Sequence, residues 1–358
     1  MNSRFVSMSR RTASWLSAPG METAVALSSR VRLARNLRGL EYPHSANGDT
    51  LERVVTYVAA GRERSPKLAE SAYYRGLDLT ELDSDFLVER HLISPAFTES
   101  DDHKATLIDP TEQVSIMVNE EDHLRVQAIV PGLNVRSAFK IADTYDDELC
   151  AHLEIDYDPD FGFLTACPTN VGTGMRASTL LHLPGLVLTR EIDLVIARIT
   201  KLGLAVRGFY GEGSDVLGNL FQISNQTTLG VSEDETLDNI ELITRQIIDE
   251  ELVARRRLIS EAGEQIEDKI WRAFGILKYA RSLSSEEVMN MLSAVRLGVS
   301  LGRIEFLSLS QVNELLLLSQ PAHLQMYYDE EMDPTRRDVV RADLVREKLR
   351  AADPRSEP

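Results

Sequence analysis

The spacing of hydrophobic positions divides the chain into a mixed first part and a helical second part. Up to about residue 230, short runs rich in β-branched residues alternate with stretches of helical periodicity. Residues 113–119 (QVSIMVN) and 124–130 (LRVQAIV), joined by the polar EEDH, predict a β-hairpin. FGFLTAC, RASTLLHL and LAVRGFY predict further strands, whereas residues 134–153 and 188–203 predict helices. Short turns between neighbouring strands favour an α+β fold with a largely antiparallel sheet flanked by helices.

From Ser232 onward the pattern is almost purely helical. Ser232, with Glu235 three residues later, predicts a capped helix start, and the serine pair that opens SSEEV (284–288) predicts another. Asp333–Pro334 predicts the start of a last helix that ends near residue 354. We therefore expect an N-terminal segment (1–22), a catalytic domain (23–254), an all-helical C-terminal domain (258–351) and a short tail (352–358).

The amino-acid composition limits the classes of protein to which the chain can belong. Of the 358 residues, 43% are hydrophobic and 27% are charged, as in soluble globular proteins. No apolar run approaches the roughly 18 residues of a membrane span, so we expect no membrane association. The two cysteines, Cys150 and Cys167, cannot build a disulfide framework, which indicates a reducing, cytoplasmic location. On its predicted helix, Cys150 is expected to pack as a small hydrophobic side chain.

The charge balance is acidic, with 56 acidic against 39 basic residues and a formal net charge of −17. A nucleic-acid-binding surface would be basic, so this balance argues against direct nucleic-acid binding. It favours basic partners, which an acidic field attracts, although an acidic charge that serves only solubility explains it equally well.

Five arginines stand at the edges of strand-like runs. Arg30 and Arg32 in SSRVRLARN (28–36) are two residues apart, so an extended segment places both on one face. Arg125, Arg176 and Arg207 have comparable positions in three other runs. Guanidinium groups match phosphate oxygens, so the set predicts a polyphosphate ligand such as a nucleoside triphosphate; a solvated basic strand is the alternative. The glycines of NVGTG would let backbone N–H groups surround such an anion as a nest.

Two acidic motifs complete the candidate chemistry. VNEEDHLR carries Glu120, Glu121 and Asp122 at a hairpin tip, where acids are ordinarily only solvated. GFYGEGSD carries Glu212 between glycines, on a loop that could close over a ligand. Two carboxylates near a cysteine could bind a guanidinium in bidentate fashion. They could also accept its proton, which it otherwise keeps because its pKa exceeds about 12.

These motifs together resemble a known family. SSRVRLARN, NEEDHLR, CPTNVGTGMRAS, RGFYGEG and ISNQ resemble, in order and spacing, the catalytic domain of the ATP:guanidino phosphotransferases, which include creatine and arginine kinases. The resemblance covers about residues 23–254. It implies ATP and Mg²⁺ as cofactors, with Mg²⁺ held through phosphate oxygens and water rather than by a dedicated protein site.

The resemblance also implies site residues. The catalytic set is Glu121 and Glu212, which would orient and deprotonate the guanidinium, and Cys167, whose thiol would lie beside it. The implied ATP-binding residues are Ser28, Ser29, Arg30, Val31, Arg32, His91, Arg125, Arg176, Ala177, Ser178, Thr179, Leu180, Arg207, Gly208, Phe209, Tyr210, Gly211 and Glu212.

The chain departs from creatine and arginine kinases in two features, which indicate the part of the family that it resembles. Creatine and arginine kinases carry a small helical domain before the SRVR strand, whereas here SSRVR begins at residue 28. A site without that cover is expected to admit an arginine that is still part of a protein. A helical region follows the catalytic domain instead, and this layout resembles the bacterial protein-arginine kinases within the family. RDVVRA (337–342) fits their RDxxRA motif.

The RDxxRA resemblance implies a regulatory pocket for phosphoarginine formed by Arg337, Asp338, Arg341 and Ala342. Arg337 and Arg341 are four residues apart, so a helix would present both guanidiniums on one face to a phosphoryl group. An ordinary charged helix face is the alternative.

The expected function is transfer of the γ-phosphoryl group of ATP to arginine side chains of proteins. The alternatives are a kinase of a free guanidino metabolite such as arginine, and a non-catalytic phosphoarginine-binding adaptor. The resemblance further implies stress-related marking of client proteins for a Clp-type protease, a zinc-binding activator protein, a heat-shock repressor among the substrates, and autophosphorylation. A homodimer with the helical domain as its contact surface is expected.

Overall fold

The structure is a computed structural model that describes residues 2–17, 22–98, 102–208 and 217–353. Within these ranges the strands are β1 (Ala26–Arg35), β2 (Ala72–Arg75), β3 (Ala105–Ile108), β4 (Val114–Val118), β5 (Leu124–Pro131), β6 (Tyr157–Asp158), β7 (Gly162–Phe163), β8 (Met175–His182), β9 (Leu204–Arg207) and β10 (Leu220–Asn225). The α-helices in the same ranges are α1 (Ser3–Ser9), α2 (Ser14–Ser17), α3 (Gly48–Arg64), α4 (Pro66–Ala69), α5 (Glu81–Glu89), α6 (Val135–Cys150), α7 (Pro184–Leu188), α8 (Ile192–Lys201), α9 (Glu233–Tyr279), α10 (Ser285–Ser300), α11 (Leu309–Leu318), α12 (Pro321–Tyr328) and α13 (Pro334–Ala352).

One antiparallel sheet organises the first part of the chain. Its eight strands in the described ranges have the order β2-β3-β4-β5-β1-β8-β10-β9, and every neighbouring pair is antiparallel. Side chains alternate between its faces. One face, with Val31 and Ala177, packs on α6 and α9 through apolar residues such as Ala138 and Ile243. The expected α+β fold with an antiparallel sheet and helical flanks is confirmed.

Several predicted elements have their expected bounds. β4 and β5 form the predicted hairpin, with Val118 opposite Leu124. The Ser232 side chain accepts from Glu235 N, and the Glu235 side chain accepts from the Ser232 backbone, which is the predicted capping box. Asp333 caps α13 by accepting from Arg336 N.

Three expectations need correction. FGFLTAC contributes only the two residues of β7, because the chain after Phe163 turns into the loop that carries Cys167. Residues 188–203 are not one helix, since α7 ends at Leu188 and α8 begins at Ile192. Cys150 is exposed at the last residue of α6, so it does not pack in the core.

The helix α9 crosses the predicted border between the domains. It runs from Glu233 to Tyr279 with one residue of non-helical backbone, Ala262 (φ −143°, ψ 33°), where the helix is kinked. The chain therefore stays helical through residues 254–258, and the division into domains remains a prediction. Among the helices in the described ranges, none combines the length and apolar content needed to cross a bilayer.

A buried arginine joins the helical region to the sheet. Arg296 of α10 donates to Thr23 O (2.7 Å) and Ala24 O (3.0 Å), just before β1. It also donates to His182 Nδ1 (2.9 Å) at the end of β8 and to Asn313 Oδ1 (2.9 Å) on α11. Burial, and then the charge of Arg255, lowers the pKa of Arg296 to about 9. A buried cation with this many acceptors fixes how the helices sit on the sheet.

Replacing this cation tests its structural role. Arg296→Met removes the donor to two buried acceptors, Asn313 Oδ1 and His182 Nδ1, and to Thr23 O. The free energy of unfolding should therefore fall by about 3 kcal/mol. Arg272→Met, which removes an exposed ion pair with Asp268, should change it by less than about 0.5 kcal/mol. Urea unfolding measures both, and equal midpoints for the two variants would contradict the assignment.

Candidate active site

A cavity of about 760 Å³ opens on the face of the sheet that α6 does not cover. This volume is typical of a small-ligand site. Eight of the residues singled out from the sequence line it: Arg30, Arg32, His91, Glu121, Arg125, Cys167, Arg176 and Arg207. Its other lining residues include Ser94, Glu120, Gln127, Thr169, Gly174, Gln222 and Asn225.

Strand alternation and register bring the arginines together. Arg30 and Arg32 point to the same face of β1. In the sheet register, Arg32 lies directly opposite Arg176 of β8. Arg207 lies opposite Gln222 of β10, and the Gln222 Oε1 accepts from Arg30 Nη2 at 2.6 Å. The predicted arginine set therefore forms one surface.

This surface is electrostatically strained without an anion. Burial, and then the charges of Arg125 and other cavity arginines, lowers the pKa of Arg30 to about 10. Burial, followed by the charge of Arg30, also lowers the pKa of Arg32. Across the described ranges, Arg32 Nε has no hydrogen-bond partner. Guanidinium groups stay protonated at neutral pH, so a ligand with several negative charges would relieve this repulsion.

Some predicted ATP residues lie on the other face. Ser29, Val31, Ala177 and Thr179 alternate with the cavity residues and are buried toward the core side. Their side chains do not line the cavity, so the expectation that they contact ATP finds no support in side-chain geometry and stays a prediction.

The remaining predicted ATP residues fall into three sets. Ser28, Ser178 and Leu180 border a much smaller space beside Arg30 and His91. Gly208 is buried after β9. The last residues of the motif lie outside the described residues; these are Phe209, Tyr210, Gly211 and Glu212.

Within the NEEDH hairpin tip, Asn119, Asp122 and His123 are buried, whereas Glu121 is exposed. Asp122 Oδ1 accepts from Asn36 Nδ2 (2.7 Å) and from Ala166 N (2.6 Å). His123 Nδ1 accepts from Leu37 N (3.1 Å). The tip is thereby fastened both to the chain after β1 and to the residue before Cys167.

The two glutamates of this tip differ in environment. Glu120 Oε2 lies 2.6 Å from Arg125 Nη1, and Glu120 Oε1 accepts from Ser94 Oγ at 2.6 Å. Glu121 Oε2 lies 3.9 Å from Arg125 Nη2, and its side chain is 44% exposed in the cavity. Glu121 is thus the more accessible carboxylate. Glu120 was not among the predicted site residues, although an acid and an arginine on either side of one hairpin turn were a signal for their ion pair.

Cys167 shares the cavity with Glu121. Its Sγ lies 3.0 Å from Thr169 Oγ1. Its carbonyl accepts from Asn170 N (2.9 Å), within the short 3₁₀ helix Pro168–Asn170, and from Thr165 Oγ1 (2.8 Å). These bonds hold the thiol at the cavity wall.

The expected anion nest is wrong for the first glycine of NVGTG. Gly172 N donates to Phe163 O, and Thr173 N donates to Thr228 O, so neither N–H faces a ligand. Gly172 has φ +111°, and a Cβ there would lie 2.2 Å from Thr228 O. The glycine is needed because the segment after β10 passes this close.

His91 lines the cavity from the turn after α5. Its φ is +60°. Burial, and then the charges of Arg30 and Arg32, lowers the pKa of His91 to about 3. The imidazole is therefore neutral at neutral pH. Its ring contacts the edge of Trp15 at 5.1 Å between centroids, so the N-terminal segment packs behind this wall.

Comparison with known proteins agrees with this geometry. The profile of the ATP:guanido phosphotransferase C-terminal catalytic domain matches residues 53–254, and that of the protein-arginine kinase McsB C-terminal domain matches residues 263–358. The protein-arginine kinase of Symbiobacterium thermophilum is 47% identical, over 96% of this chain and 98% of that protein. That of Desulforamulus reducens is 45% identical, over 94% and 95%. The chain belongs to the protein-arginine kinases of the ATP:guanido phosphotransferase family.

The kinase also resembles solved structures of this fold. A crystal structure of lombricine kinase is 25% identical with a TM-score of 0.58, over 72% of the kinase and 71% of that chain. The duplicated taurocyamine kinase of Schistosoma mansoni, at 24% identity and a TM-score of 0.57 over 63% of the kinase and 32% of that chain, shows the fold alone. The family implies ATP as the phosphoryl donor and proteins as the substrates. These matches favour the expected activity over a free-metabolite kinase or a non-catalytic adaptor.

The RDxxRA residues are arranged differently from the expectation. Arg341 is buried, at 1% exposure, and donates to Ser319 O (2.7 Å), Leu283 O (2.8 Å) and Asp338 Oδ1 (2.5 Å). Arg337 is half-buried. Ala342 packs in the helical core. Arg341 thus turns inward to buried carbonyl oxygens, an orientation that the four-residue spacing on the helix did not predict. A phosphoarginine pocket at these residues remains a prediction.

The cavity can also be compared with the prediction that Mg²⁺ has no dedicated protein site. In the parts of the chain that the structure describes, no three His, Cys, Asp or Glu residues form a group that could hold a metal ion. The cavity offers two glutamates, one of them in a close ion pair with Arg125. This donor set fits a Mg²⁺ held mainly by phosphate oxygens and water, which stays a prediction.

The neutral state of His91 can be tested through pH. Since its folded pKa lies below its unfolded pKa near 6.5, the unfolded chain takes up a proton first as pH falls. Stability from this group is complete above about pH 6.5 and is lost as pH falls toward about 3. Asn tolerates φ > 0, so His91→Asn keeps the turn without the titration. Between pH 6.5 and 5.5, wild type should lose about 1 kcal/mol more unfolding free energy than His91→Asn. Parallel curves from urea titrations would contradict the assignment.

Repulsion among the arginines predicts stabilisation by a polyanion. Tripolyphosphate at about 100 times its Kd should raise the unfolding free energy by about 2.7 kcal/mol. Arg32→Gln should reduce this gain by about 1.4 kcal/mol for each tenfold loss of affinity. Arg75→Gln, which removes an ion pair with Glu52 outside the cavity, should keep the full gain. Thermal unfolding measures this, and an equal gain in both variants would rule out the cavity as the anion site.

Proposed function

We propose that the kinase phosphorylates protein arginines in this cavity, using Mg·ATP, with the arginine set at the phosphates and Glu121 at the incoming guanidinium. The observation that carries the proposal is that Glu121 and Cys167 line the same cavity as Arg30, Arg32 and Arg176. A surface for several negative charges thus adjoins a carboxylate that can bind one positive group.

The arginines would act by position and charge. Phosphoryl transfer needs the donor and acceptor held in line and the charge on the equatorial oxygens stabilised. Arg30, fixed by Gln222, and Arg32, opposite Arg176, are held on rigid strands. Mg²⁺, bound through phosphate oxygens and water, would neutralise further charge on the phosphates.

Glu121 would orient the nucleophile. Its carboxylate can accept two N–H bonds from a guanidinium. Glu212 is the second proposed carboxylate, and one of the two would take the proton as the N–P bond forms and the bond between the γ-phosphorus and the β,γ-bridging oxygen breaks, which releases ADP. Glu120 would hold Arg125 rather than the incoming guanidinium, because it already forms an ion pair with Arg125. Asp122 would act indirectly by fastening Glu121 and the Cys167 loop to each other.

The substrate would reach the site as part of a basic protein segment. The net charge of −17 would raise the encounter rate with basic clients. The C-terminal residues Arg337, Asp338, Arg341 and Ala342 would bind phosphoarginine and regulate activity, and the contact between Asp338 and Arg341 supports a charge-sensitive element there.

The cellular proposal follows the family. The kinase would work in the cytoplasm as a homodimer, mark clients including a heat-shock repressor for a Clp-type protease, respond to a zinc-binding activator protein and phosphorylate itself. Support comes from the match of residues 263–358 to the C-terminal domain of these kinases.

Removing the charge of Glu121 tests its role. Glu121→Gln keeps the size but can neither pair with a cation nor accept its proton, so kcat should fall by about 10²–10⁴ while KM for ATP changes little. Glu154→Gln, at an exposed site outside the cavity, is the control and should keep full activity. Radiolabel transfer to an arginine-rich protein gives both constants, and unchanged kcat in Glu121→Gln would remove the assignment.

The chemistry of the product tests the reaction itself. Acid treatment and mass mapping after incubation with Mg·ATP should give an acid-labile phosphate on arginine of a protein substrate. Phosphorylation of free arginine alone, or acid-stable phosphate on serine, would contradict the proposal.

A further inference from the structure

The turn of residues 89–91 connects the cavity to a helix of the C-terminal region. It begins with the last residue of α5 and carries three charged or titratable side chains in succession, Glu89, Arg90 and His91. His91 faces the cavity. Glu89 and Arg90 are buried on the opposite side of the turn, against α12.

Glu89 holds the first turn of α12. Its two carboxylate oxygens accept from Ala322 N (2.8 Å) and His323 N (2.6 Å). These N–H groups have no partner within their own helix, so the carboxylate satisfies donors that would otherwise be buried without acceptors. The end of α5 and the start of α12 are therefore one hydrogen-bonded unit.

Arg90 crosses the same junction. Its guanidinium is 1% exposed and pairs with Glu112, in the turn between β3 and β4. Its Nη1 lies 2.8 Å from His323 Nε2. Since arginine can only donate, this ring nitrogen accepts and His323 is neutral, in agreement with a pKa that burial lowers well below its usual value. A third contact is to Arg11 O (3.4 Å) in the N-terminal segment.

The backbone of His91 depends on these anchors. Its φ of +60° is uncommon for a residue other than glycine. Locally it is held by His91 N donating to Val88 O (2.9 Å) and by Gln127 Nε2 donating to His91 O (2.6 Å). The position of the imidazole beside Arg30 and the nucleotide side of the cavity thus follows from how the turn is seated.

We propose that Arg90 is a positioning residue for nucleotide binding: through Glu112 and His323 it seats the turn that presents His91 to the cavity, and it thereby makes nucleotide affinity depend on the placement of α12. The proposal rests on the ATP site described above. Arg90 touches no reacting group; it acts through His91.

The same junction lies near Arg341. Ser319, whose carbonyl accepts from Arg341, stands three residues before the first N–H that Glu89 binds. Burial raises the pKa of Glu89 to about 8, and the charge of Arg341 is among the influences that lower it. A rearrangement of Arg341 would therefore change the surroundings of the start of α12 and, through Arg90, the seating of His91.

The test uses His323, because replacing Arg90 would leave the buried Glu112 with only the more exposed Arg11 as its ion-pair partner. His323→Leu removes the acceptor for Arg90, and His323→Gln restores one near the position of Nε2. His182→Leu is the matched control, since it removes another buried histidine that accepts from an arginine, Arg296, between sheet and helices. The measurements are Kd for ADP by calorimetry, KM for ATP, kcat, and the thermal midpoint.

We expect His323→Leu to raise Kd for ADP and KM for ATP about tenfold with kcat at saturating ATP within about threefold, and His323→Gln to return both near wild type. His182→Leu should lower the midpoint but leave Kd and KM unchanged. Unchanged Kd and KM in His323→Leu, or the same rise in His182→Leu, would overturn the proposal. If Arg32→Gln also left ADP affinity unchanged, the nucleotide site itself would be wrong, whereas weakened binding in Arg32→Gln with none in His323→Leu rejects only the positioning role.

Discussion

Repulsion among like charges on one face of the antiparallel sheet is the constraint on which the cavity depends. Arg30, Arg32 and Arg176 sit on two adjacent central strands, and Arg32 and Arg176 are directly opposite each other. Burial and mutual repulsion lower the pKa of Arg30 and Arg32; Glu120 offsets part of this repulsion, and a bound anion would offset more of it. Because these arginines lie on strands of one sheet, their backbones cannot move apart. A site of this kind is ready for a triphosphate before the ligand arrives, which is the preorganisation that electrostatic catalysis requires.

Buried hydrogen bonds at the NEEDH tip build the other part of the cavity, where Glu121 would bind the nucleophile. The Asp122 carboxylate accepts hydrogen bonds from Asn36 and Ala166, and a ring nitrogen of His123 accepts one from Leu37 N. The cost of burying these groups is offset because each has its partner. One consequence is functional: Glu121 is carried on a fixed tip beside Cys167, while Glu120 is committed to Arg125. Four consecutive residues, Glu120 to His123, thus serve structure and chemistry at the same time.

Much of this could be predicted from the sequence, where local rules decide. Two β-branched runs joined by the polar EEDH predicted the hairpin β4–β5, and period-two alternation predicted the shared face of Arg30 and Arg32. The Ser232–Glu235 capping box has its expected contacts. What failed depends on contacts between distant segments. Gly172 is required by Thr228 more than fifty residues later, and Arg341 turns inward because Leu283 and Ser319 offer buried carbonyl oxygens. No local pattern contains those partners.

A structure determined with Mg·ADP, nitrate and an arginine-containing peptide tests the central claim most directly, since planar nitrate occupies the position of a phosphoryl group in transit between two nucleophiles. The account predicts the ADP phosphates and nitrate against Arg30, Arg32 and Arg176, with the peptide guanidinium against Glu121 and beside Cys167. Nucleotide bound away from these arginines, or a guanidinium out of reach of Glu121, would contradict it.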